Sequence, residues 1–207
     1  MFNALLQRGY FPQELPPPFQ TTSFALAITS QISSLPDRFI YDPKIRNEFV
    51  SQSESFNLAR AGTLRRILSI PNPINYTQLA HVISSDWQQL LQHTQQSTIS
   101  MSKPVHTHGK IRAVRRFKNF GDLQEIRAIN RVGRRYALKA DINAFYPSVY
   151  THSIPWAIHT KKVAKTQRGY NQSLGNKIDT LIRNAQDKQT KGIPIGPDTS
   201  LIVAESI

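Results

Sequence analysis

Between residues 101 and 140 the chain carries eleven cationic side chains and only two carboxylates. The cations are Lys103, Lys110, Arg112, Arg115, Arg116, Lys118, Arg127, Arg131, Arg134, Arg135 and Lys139; the carboxylates are Asp122 and Glu125. Lysine and arginine are almost never fully buried unless paired, so this stretch is a solvated face or a surface for an anion. Residues 1–60 are balanced, with five charges of each sign, and residues 161–207 hold eight Lys/Arg against four Asp/Glu. The formal net charge is +13, and most of it sits in this one stretch. Concentrated cationic charge attracts polyanions and releases counterions from phosphates. Phe117, Phe120 and Tyr136 lie among the cations, where rings suit stacking on a base or ribose. The expected partner is nucleic acid or nucleotide phosphate; the alternative is a basic face that only aids solubility.

The chain has 207 residues, a length that suits one domain or a domain with a small appendage. It has no cysteine, which excludes a disulfide framework, a thiolate metal site and a cysteine nucleophile. The first residues, Met1 to Arg8, lack the charged-then-apolar layout of a secretion signal. No apolar run approaches the roughly 20 residues needed to cross a bilayer. The expectation is a soluble protein of a reducing compartment, with no membrane partner.

Pro16-Pro17-Pro18 is expected to tie an N-terminal segment to the body in extended form, and Pro71-Asn72-Pro73 marks a second break. Leu79, Val82, Ile83, Trp87, Leu90 and Leu91 recur at helical spacing, predicting one amphipathic helix over 76–94 capped by Asn75 or Thr77. A further break falls at Ser100 to Pro104. Arg135 to Ile142 alternates large and small residues and predicts a strand with Asp141 near its end. Leu174, Ile178, Leu181, Ile182 and Ala185 predict another helix, ended before Gly192. Helices, a basic strand-rich stretch, then strand, helix and loop make a mixed arrangement of the α+β kind.

Two segments carry candidate chemistry. The first is Leu138-Lys139-Ala140-Asp141-Ile142-Asn143-Ala144-Phe145-Tyr146-Pro147-Ser148-Val149. The second runs from Lys191 through Gly192-Ile193-Pro194-Ile195-Gly196 to Ser200 and Glu205. In the second, Gly-x-Pro-x-Gly allows close approach of backbone to a ligand, and Thr199 or Ser200 is placed to cap the apolar helix that follows. Each alone has a plain structural reading, a strand-end turn or a tight loop entering a helix. Together and in this order they resemble the reverse transcriptases. That family's first palm motif is an Asp ending a strand, five residues before an aromatic, which Asp141 and Tyr146 fit. Its next motif is Gln-Gly-x-Pro-x-Gly-x-x-x-Ser before a helix, on which Gly192, Pro194, Gly196 and Ser200 fall. Tyr150 to Trp156, Gly9-Tyr10-Phe11-Pro12 and Leu15 to Phe19 are similar to the abortive-infection type of bacterial antiphage systems. The resemblance is strong over 136–205 and loose before it.

The resemblance implies right-hand polymerase fingers and an incomplete palm, with an N-terminal helical and fingers region over 1–100. The basic fingers strands and first half of the palm would span 101–207. The implied activity is RNA-directed DNA polymerisation by two-metal nucleotidyl transfer, with template, primer and deoxynucleoside triphosphates as partners and Mg²⁺ or Mn²⁺ as cofactor. Two-metal sites hold their ions about 3.5–4 Å apart between carboxylates and phosphates. Asp141 would be a bridging carboxylate and the Ile142 carbonyl a second oxygen ligand; the bland alternative for Asp141 is a turn or an ion pair with Lys139. Tyr146, with Phe145 beside it, would lie under the incoming sugar and exclude a 2′-hydroxyl; the alternative is a core aromatic. Arg115, Arg116 and Lys118 would grip the triphosphate. Lys191, Gly192, Pro194, Gly196 and Ser200 would form the loop under the base pair and template, where turn residues are the alternative. Tyr10 and Tyr76 are candidate priming hydroxyls, with nothing to single out either. His106-x-His108 lacks companion ligands, and His152 and His159 read as structural. There is no Gly-Lys-Ser/Thr phosphate loop, no Gly-x-Ser-x-Gly and no zinc spacing.

Two departures from the family pattern matter. Lys191 stands where the family has Gln, which puts template use in question and leaves untemplated synthesis open. The Tyr-x-Asp-Asp motif, carrier of the other catalytic carboxylates, does not occur among the 207 residues. The expectation is an N-terminal fragment that does not polymerise by itself. The rival readings are a non-catalytic nucleic-acid-binding remnant of a polymerase, and a retron or group II intron enzyme.

Overall fold

The computed structural model describes residues 1–31, 49–59, 62, 64–167 and 173–207. In chain order the elements are α1 (Phe2–Ala4), which continues as a π-helical turn over Leu5–Gly9, and α2 (Thr22–Gln31). There follow β1 (Glu54–Ala59), β2 (Arg65–Ile70), α3 (Pro73–Ser85) and α4 (Trp87–Gln95). Next come β3 (Pro104–His106), β4 (Val114–Arg116) and α5 (Phe120–Arg131). The chain ends with α6 (Phe145–Ser148), α7 (Ser153–His159), α8 (Lys161–Thr166), α9 (Leu174–Asn184) and α10 (Asp198–Glu205). The architecture is α+β, with two small antiparallel sheets, β1–β2 and β3–β4.

The core is built on α3 and α9. Helix α3 buries nearly its whole circumference, Tyr76, Leu79, Ala80 and Ile83 included, as expected of a helix enclosed on all sides. Helix α9 is amphipathic: Leu174, Ile178, Leu181 and Ile182 face inward, and the Ser173 side chain accepts from the Asn176 N–H at its start. It packs against both α3 and α7. Leu5 and Leu6 of the π-helical turn and Ile202 and Val203 of α10 complete the same cluster. Burying each such aliphatic side chain contributes roughly 1.5–3 kcal/mol.

Helix α9 and the breaks at Pro71-Asn72-Pro73 and Ser100 to Pro104 stand where the sequence puts them. Other expectations are corrected. The helix of 76–94 is two helices divided at Asp86, whose φ and ψ are −104° and 22°. Ser84, Ser85 and Asp86 are poor helix-interior residues, and Ser84 Oγ donates back to the His81 carbonyl at 2.9 Å, a bond that bends helices. The cap is Asn72, whose side chain accepts from the Ile74 N–H at 2.9 Å with Pro73 opening the helix. Asn75 is buried and instead accepts from Ser51 Oγ and donates to the Phe49 carbonyl. Pro16 to Pro18 lie in turns, with Leu15 N–H donating to Pro12 and Phe19 N–H to Pro16, rather than in an extended tie. Neither Thr199 nor Ser200 caps α10, which begins after Pro197 with both residues buried inside it.

The strand expected over 135–142 does not form. Tyr136, Leu138 and Ile142 are exposed, at 92%, 95% and 65%, and no described strand pairs alongside. Alternation of side chains makes a strand only where a neighbour takes up the backbone N–H and C=O groups. The basic stretch before it is less strand-rich than expected, since β3 and β4 have three residues each and α5 has twelve. Among the described residues no helix is long and apolar enough to cross a membrane.

Candidate functional site

The two segments singled out in the sequence are neighbours in space. Gly192 N–H donates to the Val149 carbonyl at 2.7 Å, and Ile193 N–H to the Tyr146 carbonyl at 3.0 Å. Tyr150 and Lys191 form an antiparallel bridge. On its other side the loop accepts from β2, where Ser69 N–H donates to the Ile195 carbonyl at 2.8 Å. Gly192 and Gly196 have φ of +93° and +127°, values that glycine alone adopts without strain. A Cβ on Gly196 would stand 2.4 Å from Pro12 Cγ. The close approach that needs this glycine is therefore to the N-terminal segment.

The loop is fixed to the basic hairpin by an ion pair between the buried Asp198 and the half-buried Arg112. Arg112 Nε donates to Asp198 Oδ1 at 2.9 Å, and its Nη2 reaches the same oxygen. Arg112 also donates to the Phe11 carbonyl at 2.6 Å and the Gly196 carbonyl at 2.9 Å. Asp198 Oδ2 accepts from the Ala113 and Val114 N–H groups at 2.9 and 3.0 Å. Burial pushes the Asp198 carboxyl above the usual carboxylate value, against the opposing pull of Arg112 and the two backbone donors.

This clasp leaves a cavity of about 490 Å³ whose wall includes Arg66, Arg115, Arg116, Lys118, Tyr146 and Gly196. Arg66 is paired with Glu14 at 2.8 Å, and Arg112 with Asp198. Among the described residues no carboxylate pairs with Arg115, Arg116 or Lys118. Tyr146 is half-buried; desolvation pushes its hydroxyl up while Arg116 and Arg66 pull it down. The chemistry available is capture of an anion by three unpaired cations next to an aromatic ring.

The other proposed residues stand elsewhere. Phe145 meets Tyr146 edge-on at 5.7 Å and packs against the core. Gly192 and Pro194 are buried in the loop, Lys191 is exposed, and Ser200 is buried in α10 with its N–H on the Pro197 carbonyl. Asp141 and Ile142 lie on the exposed segment before α6, outside the cavity wall, and Asp141 makes no ion pair with Lys139. Among the described residues no three His, Cys, Asp or Glu gather to hold a metal ion. One carboxylate and one carbonyl do not make a Mg²⁺ site by themselves. Tyr10 and Tyr76 are buried, their hydroxyls donating to the Pro71 carbonyl at 2.7 Å and the Leu5 carbonyl at 3.0 Å, so neither is presented for priming. Burial pushes Tyr10 to about 12.

Sequence reading missed the Arg112–Asp198 clasp and the part played by Arg66. Nothing in a run of eleven cations marks the one that turns inward. The chain matches no protein-family model and no curated protein.

Proposed function

We propose that the chain binds nucleic acid and deoxynucleoside triphosphate as part of a reverse transcriptase of the bacterial abortive-infection type. The reaction would add deoxynucleotides to a 3′ or protein-borne hydroxyl. One observation carries this reading: Arg115, Arg116 and Lys118 of the basic stretch, proposed as grips for the triphosphate, line one cavity with Tyr146 and Gly196, each proposed on one of the two motifs. Triphosphate oxygens would meet the three unpaired cations, and the Tyr146 ring would lie against the sugar. Charge-assisted bonds to phosphate are the strong ones.

The isolation of Asp141 favours a second reading, a non-catalytic nucleic-acid binder that uses the same cations. Binding of a fluorescent deoxynucleoside triphosphate and of a primer–template separates the outcomes. Arg115→Glu with Arg116→Glu should weaken nucleotide binding at least about tenfold, near 1.4 kcal/mol. Unchanged affinity would refute the assignment of this cavity. Nucleic-acid binding that survives both Asp141→Ala and removal of Mg²⁺, with steep salt dependence, supports the second reading. Mg²⁺-dependent incorporation abolished by Asp141→Asn supports the polymerase and overturns the expectation that these residues do not polymerise by themselves.

A further inference from the structure

A second cavity, of about 350 Å³, shares no lining residue with the one around Tyr146. Its wall includes His152, Trp156, Lys165, Asn176, Asp179 and Arg183, from α7, α8, α9 and the turn before α7. His152 Nδ1 lies 2.7 Å from Asp179 Oδ2. That contact orients the imidazole and leaves Nε2 without a hydrogen bond among the described residues. Asp179 is buried, and its Oδ1 faces Arg183 Nε at 3.3 Å as an ion pair. Neither of these two atoms makes a hydrogen bond. Lys165 is exposed and has no described carboxylate partner. Trp156 meets Tyr150 edge-on, and Lys161 Nζ stands 4.7 Å from its ring centroid.

We infer that this cavity is a second binding site, for a single nucleotide unit. Lys165 and the outer nitrogens of Arg183 supply charge for one phosphate. Trp156 supplies an aromatic wall for the base. His152 Nε2 supplies one polar contact whose orientation Asp179 fixes. The volume falls within the range of small-ligand pockets and is too small for a duplex. A metal is a poorer occupant, because only His152 and Asp179 among the lining residues are ligand types and Asp179 is already engaged by two partners. The unit could be a free nucleotide or the 5′-phosphorylated end of a strand, since both present the same chemistry.

This inference is independent of the polymerase reading. The chain has two tryptophans, so Trp87→Phe leaves Trp156 as sole reporter. Adenosine 5′-monophosphate, adenosine and a 5′-phosphorylated trinucleotide are titrated against its fluorescence in the full chain. A saturable change is expected with the monophosphate or the trinucleotide, at least about tenfold weaker in Lys165→Glu, with adenosine weaker still. Saturation by the monophosphate alone identifies the free nucleotide; saturation by the trinucleotide alone identifies the strand end. No saturable change with either overturns the inference, as does equal affinity in Lys165→Glu. Lys165 is exposed, and matching thermal unfolding of that variant shows that any loss is not a folding defect.

Discussion

At the scale of single residues, the Arg112–Asp198 pair connects three parts of the molecule. One guanidinium holds the carboxylate, the Phe11 carbonyl and the Gly196 carbonyl. Removing one partner of a buried pair strands the other charge. Arg112→Met should lower stability by about 3–5 kcal/mol near neutral pH, as such losses run. The pH dependence follows from the raised Asp198 carboxyl. A raised group stabilises the fold below its ordinary value, and that contribution is lost as pH rises through the folded value. Arg112 opposes the rise, so in Arg112→Met the Asp198 value climbs further. The deficit should therefore shrink in acid, where Asp198 is neutral. Urea unfolding at pH 7 and pH 4 checks this; an equal deficit at both would mean the pair acts through packing alone. None of it was legible in the sequence, where Arg112 is one cation among eleven and Asp198 is the residue after a proline.

At the scale of elements, legibility followed how local the determining interactions are. Helix α9 could be read because Leu174, Ile178, Leu181 and Ile182 repeat on one face, and that face is the buried one. The hairpin β1–β2 could not, because its burial alternates only partly and its one fully buried residue, Leu68, depends on tertiary neighbours. Residues 135–142 have the right alternation and no partner, which a single segment cannot reveal. The packing of α9 on α7 hangs on Gly175, where a Cβ would stand 2.5 Å from Pro155 Cα. Backbone cannot swing aside like a side-chain tip. Gly175→Ala should therefore force the helices apart and lower stability by about 1–3 kcal/mol, as overpacking does. It should also lengthen the 3.0 Å bond from Gly175 N–H to His159 Nε2. Thermal unfolding gives the first effect and the His159 ring nitrogen shifts the second; an alanine variant as stable as the parent would show that α9 slides without loss.

Across the whole molecule, charge and core are segregated. The buried cluster draws mainly on the π-helical turn, α3, α7, α9 and α10, with Ala113 and Val114 its members from the basic stretch, whereas residues 127–144 are all exposed. Segregation of this kind leaves residues 127–144 free to meet a polyanion without disturbing the core, and it leaves them open to a protease. Chain that is exposed and outside regular hydrogen bonding is where cleavage concentrates. Within the described residues, trypsin should cut first after Arg134, Arg135 or Lys139, beyond the end of α5 at Arg131. A single-stranded oligonucleotide at low salt should slow those cuts if the stretch is the contact surface. Protection should fade as salt rises, because counterion release weakens phosphate contacts in proportion to the number of phosphates neutralised. Mass analysis of the first fragments, with and without oligonucleotide across a salt series, measures both effects. Early cuts that nucleic acid leaves untouched at low salt would reduce residues 127–144 to a solvated face and move the search for the binding surface to Arg115, Arg116 and Lys118.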